Sequence, residues 1–132
     1  INLSEYGSDF GENINFDYIL EKILKIEEID RVRVSSVYPD TLSEKFISLL
    51  KENKKLMPHL HVSIQSLDDK ILKLMKRNYR AEFVVELLKK VQEEVPDSAI
   101  TADIDILSDG DVIDIIHNYL NGIGIEKIID RD

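Results

Sequence analysis

Between Met57 and Ser66 polar and apolar residues alternate with a period of two, the pattern of a strand. Leu60, Val62 and Ile64 fall on one face, and His59, His61, Ser63 and Gln65 on the other. The apolar face suits a covering layer of helices. A polar row on the opposite face is foreign to a strand buried between two helical layers, where both faces are apolar. A barrel wall accommodates it, with helices outside and polar groups toward the lumen.

The rest of the pattern repeats the theme. Ile1-Asn2-Leu3 reads as the tail of a strand, and Glu5 to Asn13, with Gly7 and Gly11, as a loop. Asn15 caps a helix whose Phe16, Ile19, Leu20, Ile23 and Leu24 recur at helical spacing. Val32 and Val34 alternate with Arg31, Arg33 and Ser35 as a second strand ending near Pro39. Thr41 with Glu44 makes a capping box ahead of Leu42, Phe46, Leu49 and Leu50. After the central strand, Asp68 or Asp69 caps a short helix carrying Ile71, Leu72 and Met75. A longer helix from about Ala81 to Val95 lines up Val84, Leu87, Leu88 and Val91. Ile100, Ala102, Ile104 and Ile106 alternate with Thr101, Asp103 and Asp105. Ser108-Asp109-Gly110 turns into a helix with Ile113, Ile116 and Leu120, Gly122 marks its left-handed end, and a last strand runs from about Ile125 to Asp130.

Strands separated by helices imply a parallel sheet. Three polar strand faces line up as neighbours: Arg31, Arg33 and Ser35; the central row; Thr101, Asp103 and Asp105. Burying them under a second helical layer would cost heavy desolvation. The expected fold is therefore α/β, a parallel sheet of four to five β-α units forming a partial, half TIM-like barrel, as one domain over residues 1–132.

Composition narrows the function. Hydrophobic content of 43% and charged content of 33% belong to a soluble globular chain. No apolar run approaches the roughly 20 residues that span a bilayer, and no secretory leader is visible, so a cytoplasmic setting without membrane partners is expected. A start inside a strand hints at an excised piece of something longer. The chain has no cysteine, which excludes disulfides, thiolate nucleophiles and cysteine-ligated clusters within it. Seventeen basic against 26 acidic residues give a net charge of −9, poor for unaided nucleic-acid binding. Lys51, Lys54 and Lys55 fall close together but read as a solvated helix end.

One constellation invites chemistry. His59 and His61 on one strand and Asp103 and Asp105 on its neighbour could converge on a divalent metal such as zinc. Hydrogen bonding between the pairs explains the same pattern more simply. His117 sits on an expected helix and needs no role, and no Walker loop, nucleophile elbow or Ser-His-Asp order is visible.

Met57-Pro58-His59-Leu60-His61-Val62-Ser63-Ile64-Gln65-Ser66, followed by Asp69-Lys70-Ile71-Leu72-Lys73-Leu74-Met75-Lys76-Arg77-Asn78-Tyr79, resembles the radical SAM methylthiotransferases. The resemblance is to the branch that acts on threonylcarbamoyladenosine in transfer RNA. Tyr6-Gly7, Arg33-Val34-Ser35-Ser36-Val37-Tyr38-Pro39 and Pro96-Asp97-Ser98-Ala99-Ile100-Thr101-Ala102-Asp103 are similar to other segments of that barrel. The family holds a 4Fe-4S cluster on a cysteine motif spaced CxxxCxxC and uses S-adenosylmethionine. This chain departs from it: Met57 stands where Cys is usual, Gln65-Ser66-Leu67-Asp68 replaces QSGS, and Leu107-Ser108-Asp109-Gly110-Asp111-Val112 replaces the glycine-rich GFPGET turn.

The resemblance implies that Ser63 and Gln65 lie beside S-adenosylmethionine and that Arg77 meets its carboxylate, as a residual site on a hydrated lumen face. The leading expectation is a non-catalytic, cut and re-engineered barrel fragment with no cofactor of its own. The alternatives are a small metal-binding or hydrolase-like domain using His59, His61, Asp103 and Asp105, or an accessory subunit of a radical SAM enzyme. Open strand edges against a charge of −9 predict a monomer or a weak, salt-dependent homodimer.

Overall fold

Three parallel strands, β1 (His59–Gln65), β2 (Ala99–Asp105) and β3 (Lys127–Arg131), lie side by side in that order. The computed structural model describes residues 3–10, 14–105, 122 and 127–131. Before β1 come α1 (Phe16–Leu24) and α2 (Glu44–Glu52); between β1 and β2 come α3 (Asp69–Leu74) and α4 (Ala81–Glu94). The fold class is α/β, and α3 and α4 fill the interval between the parallel strands β1 and β2 as the hydrophobic periodicity predicts. No helix among the described residues is long and apolar enough to cross a membrane.

The helix starts follow from local chemistry. Asn15 accepts a hydrogen bond from the Tyr18 amide at 3.0 Å, and Asp68 accepts from the Lys70 and Ile71 amides at 2.7 and 3.3 Å. Ser43, not Thr41, caps α2, its hydroxyl accepting from the Phe46 amide at 3.0 Å. Thr41 is instead absorbed in a 3₁₀ turn, Pro39–Thr41, which Pro39 opens with its fixed φ. Leu3, expected in a strand, begins another 3₁₀ turn, Leu3–Glu5, closed by the Tyr6 amide on the Leu3 carbonyl at 3.1 Å. Beyond it, Gly7 has φ +83°, and a Cβ there would sit 1.9 Å from the Ile14 carbonyl oxygen. Only glycine fits.

The expected strand over Arg31–Ser35 is reduced to an edge. Val32 bridges Leu56 and Val37 bridges Val62, both parallel, with no continuous ladder between. Ser36, at φ +54°, breaks the extended run there. The turn at Ser108-Asp109-Gly110, the helix stripe of Ile113, Ile116 and Leu120, and His117 lie outside the described residues.

Leu60, Val62 and Ile64 are each 0% exposed. They join Ile100, Ala102 and Ile104 of β2, Leu20 and Leu24 of α1, Phe46, Ile47 and Leu50 of α2, and Val84, Leu88 and Val91 of α4 in one core. Each such side chain contributes roughly 1.5–3 kcal/mol by leaving water, so this face carries most of the stability.

Outside the core, α1 and α2 are stapled through Glu21. Its carboxylate accepts from Lys45 at 2.7 Å and from Lys25 at 2.9 Å, and the Lys45 bond above all holds its pKa at about 2, below the usual 4.5. A depressed carboxylate pKa contributes stability that is present above 4.5 and lost as the pH falls toward about 2. The pair is exposed, so the effect on stability is small. The titration itself is the clear readout: carbon-detected NMR should place the Glu21 midpoint well below those of other glutamates, and Lys45→Met should return it toward them.

Candidate functional site

In parallel α/β folds ligands gather at the C-terminal ends of the strands. Gln65 ends β1, where the register with β2 shifts between Ser63 and Gln65. It adopts φ +71°, a left-handed conformation that costs a non-glycine residue about 1 kcal/mol or more. Its side chain then accepts from Arg77 Nη2 at 3.2 Å. Arg77 gets there because Lys76, also left-handed at φ +54°, reverses the chain after α3, and the Arg77 amide bonds the Leu72 carbonyl at 2.9 Å.

The Arg77 guanidinium lies 4.6 Å from the centre of the Tyr38 ring. Its Nε is buried with no hydrogen-bond partner among the described residues. Tyr79 closes the same corner, its hydroxyl donating to the Ile64 carbonyl at 3.3 Å, and burial pushes its pKa up to about 12. Ser63 is half-buried in the same row, its amide bonded to the Val37 carbonyl at 2.8 Å. Gln65 and Arg77 are thus in direct contact, with Ser63 two residues before Gln65.

Midway along the row, register does the positioning. His61 stands opposite Thr101, and Ser63 opposite Asp103. His61 Nδ1 is 2.7 Å from Thr101 Oγ1, and Nε2 is 3.1 Å from Asp103 Oδ2. A proton on Nε2 serves Asp103, and Nδ1 then accepts from the Thr101 hydroxyl. When Nδ1 carries a proton as well, it donates to Thr101 Oγ1 and the Thr101 hydroxyl can turn to the Leu60 carbonyl, 3.4 Å away. Asp103 is 2% exposed and the His61 side chain 18%, so this part of the face is not the hydrated lumen that the polar pattern suggested.

At the start of β1, His59 Nδ1 lies 2.9 Å from Arg33 Nη2 and accepts from it. Of the four residues proposed for a metal, the structure brings His61 and Asp103 together. His59 is engaged by Arg33, and the Asp105 side chain lies outside the described residues. Among the described residues no group of three or more His, Cys, Asp or Glu side chains is arranged to hold an ion. Thr101, Tyr38 and Tyr79 were not singled out as site residues by the sequence reading. Thr101 was in phase with His61 and could have been paired with it; nothing in the pattern marks the two tyrosines.

Comparison with known proteins gives this geometry a family. Residues 6–118 match the Radical SAM superfamily. The chain is 40% identical over 103 residues to a protein named tRNA-2-methylthio-N(6)-dimethylallyladenosine synthase in Thermobifida fusca (strain YX), covering 78% of this chain and 21% of that one. It is 38% identical over 103 residues to the protein of the same name in Natranaerobius thermophilus, covering 78% and 23%. It thus spans about a fifth of the length of the curated relatives it matches. The chain, a parallel α/β fold with a polar row on β1, belongs to the Radical SAM superfamily, whose match runs over residues 6–118.

Proposed function

We propose that the chain is the central part of the radical SAM barrel of a tRNA methylthiotransferase, and that alone it is a non-catalytic scaffold. The observation that carries this is its donor set. The cluster of this family needs thiolates, and the chain has no cysteine, so the residues present do not fit it. Without the cluster there is no reductive cleavage of S-adenosylmethionine. The edge segment bridging at Val32 and Val37 adds a fourth strand position to the three paired strands, which supports a partial barrel of four to five units.

Ser63, Gln65 and Arg77 are the residues we assign to a residual S-adenosylmethionine site. A carboxylate at Arg77 would satisfy its buried Nε and strengthen as a charge-assisted pair. A metal on His59, His61, Asp103 and Asp105 would have to break the bonds that His61 makes to Thr101 and that Arg33 makes to His59. The relatives named above carry dimethylallyladenosine in their names, while the quoted motifs resemble the threonylcarbamoyladenosine branch. The shared chemistry, methylthiolation of a tRNA adenosine, is what we assign to the parent protein. Charge of −9 on each copy keeps the chain a monomer or a weak dimer at low salt.

Reconstitution tests the reading. Incubated with iron, sulfide and a reductant, the chain should show no visible cluster absorbance after desalting and form no 5′-deoxyadenosine. A cluster that survives desalting overturns it.

A further inference from the structure

Where α3 gives way to α4 the surface opens into a cleft of about 440 Å³, walled by Lys70, Lys73, Arg77 and Arg80 with Asn78 and a single acid, Asp69. In a chain of net charge −9 this is a reversal of sign. Its one acid is engaged elsewhere: Asp69 Oδ1 accepts from the Ala81 amide at 2.9 Å. Neighbouring Asp68 is bound to the Lys70 and Ile71 amides. No salt bridge among the described residues uses Lys70, Lys73, Arg77 or Arg80, whereas Lys25, Lys45, Lys51 and Lys90 each pair with a glutamate. Lys51 and Lys55, the cations that cluster before β1, are also engaged, by Glu94 at 3.5 Å and the Ile26 carbonyl at 2.7 Å.

We propose that this cleft is a phosphate-binding site, contributing a backbone contact to the RNA on which the parent enzyme acts. Four cations against one lining carboxylate leave an excess of positive charge around the concavity, which focuses a positive potential and attracts anions. The position agrees, because the cleft follows β1 at its C-terminal end and shares Arg77 with the Gln65 corner. The form of the site favours a strand over a small enclosed anion. Lys70, Lys73 and Arg80 are exposed and spread along an open surface, an arrangement that meets successive phosphates of a passing backbone. The contact is weak alone, since the remaining surface is acidic and repels the same polyanion. The inference rests on the tRNA-modifying parent proposed above, but its readout is independent of cluster formation.

The test is an amide-shift titration of the ¹⁵N-labelled chain with a single-stranded RNA hexamer at low salt, alongside inorganic phosphate and anionic lipid vesicles. Amides from Lys70 to Arg80 should shift with the hexamer, and binding should weaken roughly ten- to twentyfold between about 50 and 200 mM salt, as about three neutralised phosphates imply. The Lys70→Glu/Lys73→Glu double variant should lose the shifts. Lys54→Glu/Lys89→Glu, which makes the same change of charge at two exposed lysines elsewhere, should keep them. Equal loss in both variants, shifts spread over the whole surface, equal affinity for inorganic phosphate, or binding to vesicles but not RNA would each overturn the assignment. A failed titration with no cluster formed removes the cleft and leaves the scaffold reading standing.

Discussion

Val62→Asp is expected to leave the chain unfolded. Val62 is 0% exposed at the centre of β1, bridged on one side to Val37 and paired on the other with Ala102. An aspartate there has no partner in the apolar layer between the sheet and its helices. Burying it, charged or protonated, costs several kcal/mol, comparable to the whole stability of a domain this size. His59→Asp, on the opposite face, places the same carboxylate beside the Arg33 guanidinium and should fold. Far-UV circular dichroism and thermal melting separate the two. A cooperative native-like melt for Val62→Asp together with loss of structure in His59→Asp would mean that the faces of β1 are reversed.

That the faces could be read from the sequence follows from β1 itself. Its seven residues alternate half-buried and buried without exception, because each apolar residue meets the core while each polar one keeps part of its surface accessible. Periodicity reports burial, and here burial has one direction. The segment over Arg31–Ser35 alternates just as well and Val34 is buried, yet within it only Val32 bridges a neighbour, and the next bridge comes at Val37. Strand pairing is a non-local property, and the left-handed turn at Ser36 that spoils it leaves no mark in the pattern. The cap of α2 slipped from Thr41 to Ser43 because two hydroxyls precede the same apolar run, and only the 3₁₀ turn set by Pro39 chooses between them. The basic cleft is a similar case. Asp68 and Asp69 stand beside Lys70 and Lys73 in sequence, and only the structure shows both carboxylates turned to backbone amides and not to the lysines. The polar row was visible, but its environment was not. Whether His61 faces water or an acid depends on which residue of β2 stands beside it.

His61→Leu tests that environment and should cost about 1–3 kcal/mol, the penalty for stripping a hydrogen-bonding partner from a buried carboxylate. The substitution removes the ring nitrogen 3.1 Å from Asp103 Oδ2 while Asp103 stays 2% exposed. It also leaves Thr101 with the Leu60 carbonyl alone, at 3.4 Å. A hydrated lumen predicts the opposite, because water would replace the lost contacts at almost no cost. His61→Gln keeps an amide donor that can reach toward Asp103 and should recover part of the loss. Replacing both partners, as His61→Leu/Asp103→Leu, should be less damaging than the sum of the two single changes, since no buried charge is then left behind. Urea midpoints at unchanged slope measure all four proteins on one scale. If His61→Leu shifts the midpoint negligibly and the double variant shows no coupling, the His61–Asp103 bond contributes nothing to the fold, and the polar face is solvent-filled after all.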